Sequence, residues 1–254
     1  MRTLLLLLCG LLLHTAVAAE GPAIAVAANL TRPMEKIVER YEADTGVAMR
    51  ASFGSSGNFV RQIRQHAPFE LFISANADYV ARLDTEGLTE GTPVTIALGR
   101  IGAFVPEGSA LADHDDLDSL MKALANGGFR RIAMANPEFA PFGVAAQQAL
   151  EHAGVWAIEK ARIVLGENVA QAVQFTLAGG VDVGFIPWSF ALEPEIAERG
   201  RFLLIPDDWH APLEQRMSLI KGAGAGARRF FEFLQQPAAL GIIENHGYTL
   251  PGNR

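Results

Sequence analysis

Two hydroxyls set side by side between glycines, Gly54-Ser55-Ser56-Gly57, are the residues here best suited to chemistry, and that chemistry is hydrogen-bond donation to an anion. The glycines let a ligand come close to the backbone. Three other segments share the same layout, in which an apolar run stops, a small or polar residue follows, and a helical pattern begins. They are Ala28-Asn29-Leu30-Thr31-Arg32-Pro33, the stretch from Asn136 to Gly143, and Glu167-Asn168-Val169-Ala170-Gln171. Asn29 and Thr31 can cap a helix, Pro33 suits a first turn, and Asn168 with Gln171 has capping-box spacing. A helix start leaves backbone N–H groups unpaired and carries about half a positive charge, so several aimed at one point hold a dianion without lysine or arginine. Each segment taken singly is also what an ordinary cap looks like, so only the fold can bring the four together.

Other chemistries fit less well. The serine pair is one residue short of the Gly-x-Ser-x-Gly nucleophile elbow, and a hydrolase reading would lean on His66 as the one histidine in the same segment. The six histidines form no His-Glu-x-x-His pair, and Pro212 interrupts His210 and Glu214, so no metal-ligand set is expected. No phosphate loop is present. Asp113, Asp115, Asp116 and Asp118 lack the glycine of a calcium loop and read as a solvated helix start.

The elements that must position these junctions alternate. Ile24–Ala28, Met49–Phe53, Leu71–Ser74, Thr95–Leu98, Ile101–Val105, Arg131–Ala135, Ile163–Leu165, Val183–Ile186, Phe202–Ile205 and Met217–Ile220 read as strands. Met34–Glu42, Phe59–Gln65, Ala77–Leu83, Gly143–Ala153, Ala170–Leu177, Ala227–Leu234 and Ala238–Asn245 read as helices, with Phe230, Phe231 and Phe233 packing a terminal helix on the core. Such an order predicts an α/β fold of mostly parallel sheets with helices on both faces, and ligands in that class sit at the strands' carboxyl ends. Gly99-Arg100 reads as the crossing between two lobes, and the region after Trp188 as the return. This gives a first lobe of residues 20–98 with 190–254 and a second of 99–189.

Arg2, an apolar run from Leu4 to Leu13 and Ala16-Val17-Ala18 form an export signal over residues 1–19, cut near Ala18 or Ala19. The run is half the ~20 residues a membrane span needs, and no later segment is long enough, so no membrane insertion is expected after cleavage. Cys9, the single cysteine, leaves with the signal, so disulfide and thiolate chemistry are not expected. A formal charge of −7 without a basic run argues against nucleic acid.

The chain also resembles the periplasmic molybdate-binding proteins of ABC transporters, which are type II solute-binding proteins, from about Ile24 to Tyr248. The resemblance is carried by Ala27-Ala28-Asn29-Leu30, Ser52-Phe53-Gly54-Ser55-Ser56, Asn136-Pro137-Glu138, Gly247-Tyr248 and above all Ala67-Pro68-Phe69-Glu70-Leu71-Phe72-Ile73-Ser74-Ala75. It implies two α/β lobes joined by a hinge, and an oxyanion held between them by hydroxyls and backbone N–H groups. On that likeness Asn29, Ser56 and the backbone amides of Phe142 and Val169 hold the ligand, with Ser55 and Asn168 beside them. One departure is Phe185-Ile186-Pro187-Trp188, where Pro187 stands in place of a tyrosine donor that many members have, so the indole N–H of Trp188 is the expected substitute. The resemblance further implies a periplasmic monomer with no cofactor and no catalytic residue, which hands molybdate or tungstate to an ABC permease. A relative that has turned to sulfate or an organic anion stands as the alternative, and an exported serine hydrolase as the more distant one. A ferric-iron binder is disfavoured by there being only three tyrosines.

Overall fold

The computed structural model describes residues 21–157 and 160–252. The expected export signal and its cleavage point lie outside the described residues. The strands are β1 (Ala23–Ala27), β2 (Arg50–Gly54), β3 (Leu71–Ser74), β4 (Thr89–Gly99), β5 (Ile101–Pro106), β6 (Ile132–Ala135), β7 (Ile163–Gly166), β8 (Val183–Pro187), β9 (Gly200–Leu204) and β10 (Leu213–Ile220). The helices are α1 (Thr31–Thr45), α2 (Ser56–Arg64), α3 (Ala77–Thr85), α4 (Leu117–Ala125), α5 (Pro141–His152), α6 (Val169–Leu177), α7 (Trp188–Ala191), α8 (Pro194–Ala197), α9 (Ala225–Phe233) and α10 (Pro237–Asn245). Among the described residues no helix is long and apolar enough to cross a membrane.

The strands form two five-stranded sheets, ordered β2-β1-β3-β10-β4 and β7-β6-β8-β5-β9, one in each lobe. Strands β1, β3, β6 and β8 are buried on both faces, which explains why they read as unbroken apolar runs. Ile24 and Val26 face one layer of helices, packed on Met34, Ile37 and Phe230. Ala25 and Phe72 face the other, packed on Phe59, Val60 and Ile63 of α2. The second sheet has its own core around Phe104, Met134, Leu150 and Phe185, and it reaches across to Ala27, Ala28 and Ala75 of the first lobe.

The sheets are mostly parallel, as expected: in each, four strands run one way and a single strand runs against them. The antiparallel pairs all involve the strands that cross between lobes: β10 returns from the second lobe to lie between β3 and β4, and β5 enters from the first to lie between β8 and β9. A strand arriving from the other lobe runs against its neighbours, which local apolar pattern cannot reveal. The expectation that needs correction is the lobe of Gly200–Leu204. That strand was expected with the first lobe, but it pairs antiparallel with β5 in the second sheet, Ala103 opposite Leu203.

The chain leaves the first sheet at Gly99 and enters the second at Ile101, with Arg100 alone between. It comes back through residues 205–212. The Asp cluster does open a helix, since the Asp116 carboxylate caps α4 by accepting from the Ser119 N–H.

Candidate functional site

Each strand-to-helix junction singled out in the sequence sits at the carboxyl end of a strand, and the fold brings all four to one place. Asn29, Ser55, Ser56, Phe142, Asn168 and Val169 line a single small pocket between the lobes, together with Ala27, Ala28, Gly54, Ala75, Ala140 and Pro141. None of these lining residues is charged.

Ser56, Phe142 and Val169 occupy the first or second positions of α2, α5 and α6. No carbonyl precedes them at the right spacing to accept their N–H groups, and among the described residues none of the three donates to another backbone group. Three helix starts, one from the first lobe and two from the second, therefore present unpaired donors and positive dipole ends to one space. Pro141 opens α5 where a missing N–H costs nothing. Gly143 is required because a Cβ there would lie 2.3 Å from the Ala135 carbonyl oxygen. Asn168 caps α6 with its side-chain oxygen on the Gln171 N–H at 3.1 Å, while the Gln171 side chain accepts from the Glu167 N–H at 2.6 Å. The cap thereby consumes the Asn168 oxygen, and Gln171 reaches back one residue past the cap to Glu167, which holds the start of α6 in place.

The two serines differ. Ser56 is fully buried, and its hydroxyl accepts from the Ala75 N–H at 3.1 Å, which leaves its own proton to give away. Ser55 is the N-cap of α2, yet its hydroxyl makes no capping bond. That oxygen is buried without a hydrogen-bond partner. A serine at this position ordinarily bonds the second or third N–H of its helix. Here the second, from Gly57, donates instead to the Phe139 carbonyl of the other lobe at 2.9 Å.

Asn29 lines the pocket, but not as expected. Its side-chain N–H groups are both engaged, one to Gln215 Oε1 at 2.7 Å and one to the Tyr248 hydroxyl at 2.9 Å. Nor do Asn29 and Thr31 cap α1, since the Thr31 hydroxyl turns back to the Ala28 carbonyl at 2.8 Å and no side chain caps that helix. The Asn29 carbonyl accepts from Tyr248 at 2.6 Å and from the Ser189 hydroxyl of the second lobe at 3.0 Å. Burial pushes the Tyr248 hydroxyl well above the ordinary tyrosine range, against the smaller downward pull of its bonds with Ser189 and Asn29. Tyr248 therefore works as a neutral hydroxyl.

Trp188 does not reach the pocket, which corrects its expected role as a substitute donor. Its backbone N–H goes to the Arg100 carbonyl at 2.9 Å, and its half-buried ring lies against Gly247. Pro187 ends the strand, and Trp188 opens the short helix that follows, outside the pocket lining. The residues missed in the sequence are Tyr248, Ser189 and Gln215, which build the wall behind Asn29. Gly247-Tyr248 was visible as part of the resemblance, but nothing local marked Ser189 or Gln215. His66, needed by a hydrolase reading, lines a different cleft with Phe69, Leu88 and Lys221, so among the described residues no imidazole lines the serines' pocket. Glu138 and Glu167 also stay outside the pocket, and Glu167 instead accepts from the Asn58 side-chain amide at 2.9 Å at its edge.

Residues 23–249 match the bacterial extracellular solute-binding protein family. The chain is 34% identical to the molybdate-binding protein ModA of Azotobacter vinelandii, over 98% of this chain and 97% of that one. It is 34% identical to ModA of Rhodobacter capsulatus, over 97% and 94%. The solved Azotobacter vinelandii periplasmic molybdate-binding protein superposes with a TM-score of 0.82 at 31% identity, covering 91% of this chain and 99% of that chain.

Proposed function

We propose, from the premise that the chain belongs to the bacterial extracellular solute-binding protein family, that it captures molybdate, and tungstate with it, and delivers the anion to an ABC permease. The observation that carries this reading is one small pocket walled by three open helix N-termini and two serine hydroxyls, with no charged side chain in its lining. Such a lining offers donors and no carboxylate acceptor. It suits a fully deprotonated tetrahedral dianion and disfavours a protonated phosphate, whose hydroxyl needs an acceptor.

In this reading Ser56 gives its hydroxyl proton and its N–H, Phe142 and Val169 give backbone N–H groups, and Asn29 offers its backbone N–H while Tyr248 and Gln215 hold its side chain. Ser55 supplies the second hydroxyl, whose lack of a protein partner the ligand would make good. The site binds and releases without chemistry, with the protein acting as a monomer in the periplasm. Lobe closure about the two crossings, Gly99 to Ile101 and residues 205–212, encloses the anion.

Calorimetric titration of the purified protein with molybdate, tungstate, sulfate and phosphate tests the proposal. Molybdate is expected to bind below about ten micromolar, roughly −7 kcal/mol. Sulfate bound more tightly than molybdate would move the protein to the sulfate alternative, and no binding of any of the four would overturn the oxyanion reading.

A further inference from the structure

We infer that Gly57 and Phe139 form the stop that fixes how far the lobes close, and so select the oxyanion by size; this rests on the oxyanion reading above. Gly57 lies in the first turn of α2, next to Ser56, and is buried. Phe139 lies in the second lobe, three residues before the pocket amide of Phe142. The Gly57 N–H donates to the Phe139 carbonyl across the cleft at 2.9 Å. A Cβ at position 57 would lie 2.8 Å from that carbonyl oxygen and 2.9 Å from both Cα and Cβ of Phe139. These are mostly backbone atoms, which cannot swing aside, so any side chain at 57 would force the lobes apart by about half an ångström or more. The φ of Gly57 is not in the left-handed range, so closeness between lobes, and not backbone conformation, is what requires glycine here.

Neighbouring contacts hold the stop in place. The Asn58 side-chain amide donates to Glu167 at 2.9 Å, Arg61 donates to the Asn58 side-chain oxygen, and the Arg61 guanidinium lies 5.6 Å from the centre of the Phe139 ring. Residues 57, 58 and 61 are thus one face of α2 seated on the loops that open α5 and α6. The same helix carries Ser56, so the separation set at Gly57 is transmitted within one residue to the anion's donors. Tetrahedral oxyanions differ in bond length by a few tenths of an ångström, and donors held on two rigid lobes discriminate on that scale only if the closed distance is fixed.

The test compares the wild type with Gly57→Ala and Asn58→Asp. The readouts are molybdate and sulfate affinity by calorimetry, molybdate release rate by stopped flow, and the radius of gyration with saturating molybdate. Gly57→Ala is expected to weaken molybdate about tenfold or more through a faster release rate, to enlarge the molybdate-bound particle, and to shrink the preference for molybdate over sulfate. The Asn58→Asp change sets a carboxylate against Glu167 on an exposed edge without touching the core. Its release is expected to be faster as well, which keeps the test decisive if Gly57→Ala does not fold. Wild-type affinity, release rate and selectivity in the variants would overturn the stop while leaving the oxyanion reading intact. A wild type that binds none of the anions would overturn that reading and the selection claim together.

Discussion

The Tyr248 hydroxyl donates to the Asn29 carbonyl at 2.6 Å and accepts from the Asn29 side-chain amide at 2.9 Å, so one phenol holds both polar ends of a residue in the pocket wall. Ser189 from the second lobe shares the same carbonyl, and Gln215 takes the other amide proton. Asn29 is fixed from both lobes at once, and the opening turn of α1 is fixed with it.

Tyr248→Phe removes this clamp while leaving the ring's packing. The variant is expected to lose about 1 to 3 kcal/mol of stability, since a buried amide and carbonyl each lose a partner, and to bind molybdate more weakly. The raised value of Tyr248 also has a sign. The neutral hydroxyl's contribution is complete below the ordinary tyrosine value of about 10 and is lost as pH rises toward the folded-state value. Near-ultraviolet titration should show a late tyrosine ionisation, and Tyr248→Phe should abolish that phase. A variant retaining it would refute the assignment.

Asp182 gives the opposite pH dependence. Burial alone would raise its carboxyl, but the Arg130 backbone and side chain and the Arg131 backbone together hold it below the ordinary aspartate value. Its stabilisation is therefore present above the unfolded value of about 3.9 and lost as pH falls through the folded one. Asp182→Asn should cost about 2 kcal/mol at neutral pH. Thermal melts should show the gap from wild type constant down to about pH 4 and closing below it. A gap that widens in acid would contradict the sign.

The pocket was more legible in the sequence than the frame around it. Ser56, Phe142 and Val169 could be found because a helix start is written in a few adjacent residues: Gly-Ser-Ser-Gly, a proline, or an Asn with Gln three positions on. Asn29 lines the pocket, but its partners were invisible in the sequence, because Gln215 and Tyr248 lie 186 and 219 residues away. Trp188 misled because a donor's presence in the sequence says nothing of its direction. The order of elements and the mostly parallel sheets were visible, but the one reversed strand in each sheet was not. These are β10 and β5, which cross between lobes, and crossing is a property of the whole chain.

Tyr41 should respond to substitution differently from Tyr248. It is 2% exposed between Phe230 and Phe233, with ring centroids 5.0 and 5.1 Å away, and its hydroxyl is buried with no hydrogen-bond partner. A hydroxyl that gives up water for nothing destabilises the fold, so Tyr41→Phe should be neutral or stabilising by up to about 1 kcal/mol. Chemical denaturation measures this. A loss above that size would mean that the hydroxyl has a partner after all.

Ser55 and Ser56 offer the sharpest contrast, because adjacent hydroxyls in one pocket have different debts. Ser56 already receives the Ala75 N–H, so Ser56→Ala removes a donor to the anion and also strands a buried amide. It should weaken molybdate by about 1 to 3 kcal/mol and lower the stability of the anion-free protein as well. Ser55 has no protein partner to strand. Ser55→Ala should therefore leave the anion-free protein as stable as wild type or slightly more so, while still weakening molybdate. Paired melts and titrations of the two variants separate the cases: only a hydroxyl whose one use is the ligand loses affinity without losing stability. If Ser55→Ala binds molybdate as the wild type does, its orphaned oxygen faces away from the anion and Ser56 alone supplies the pocket's hydroxyl.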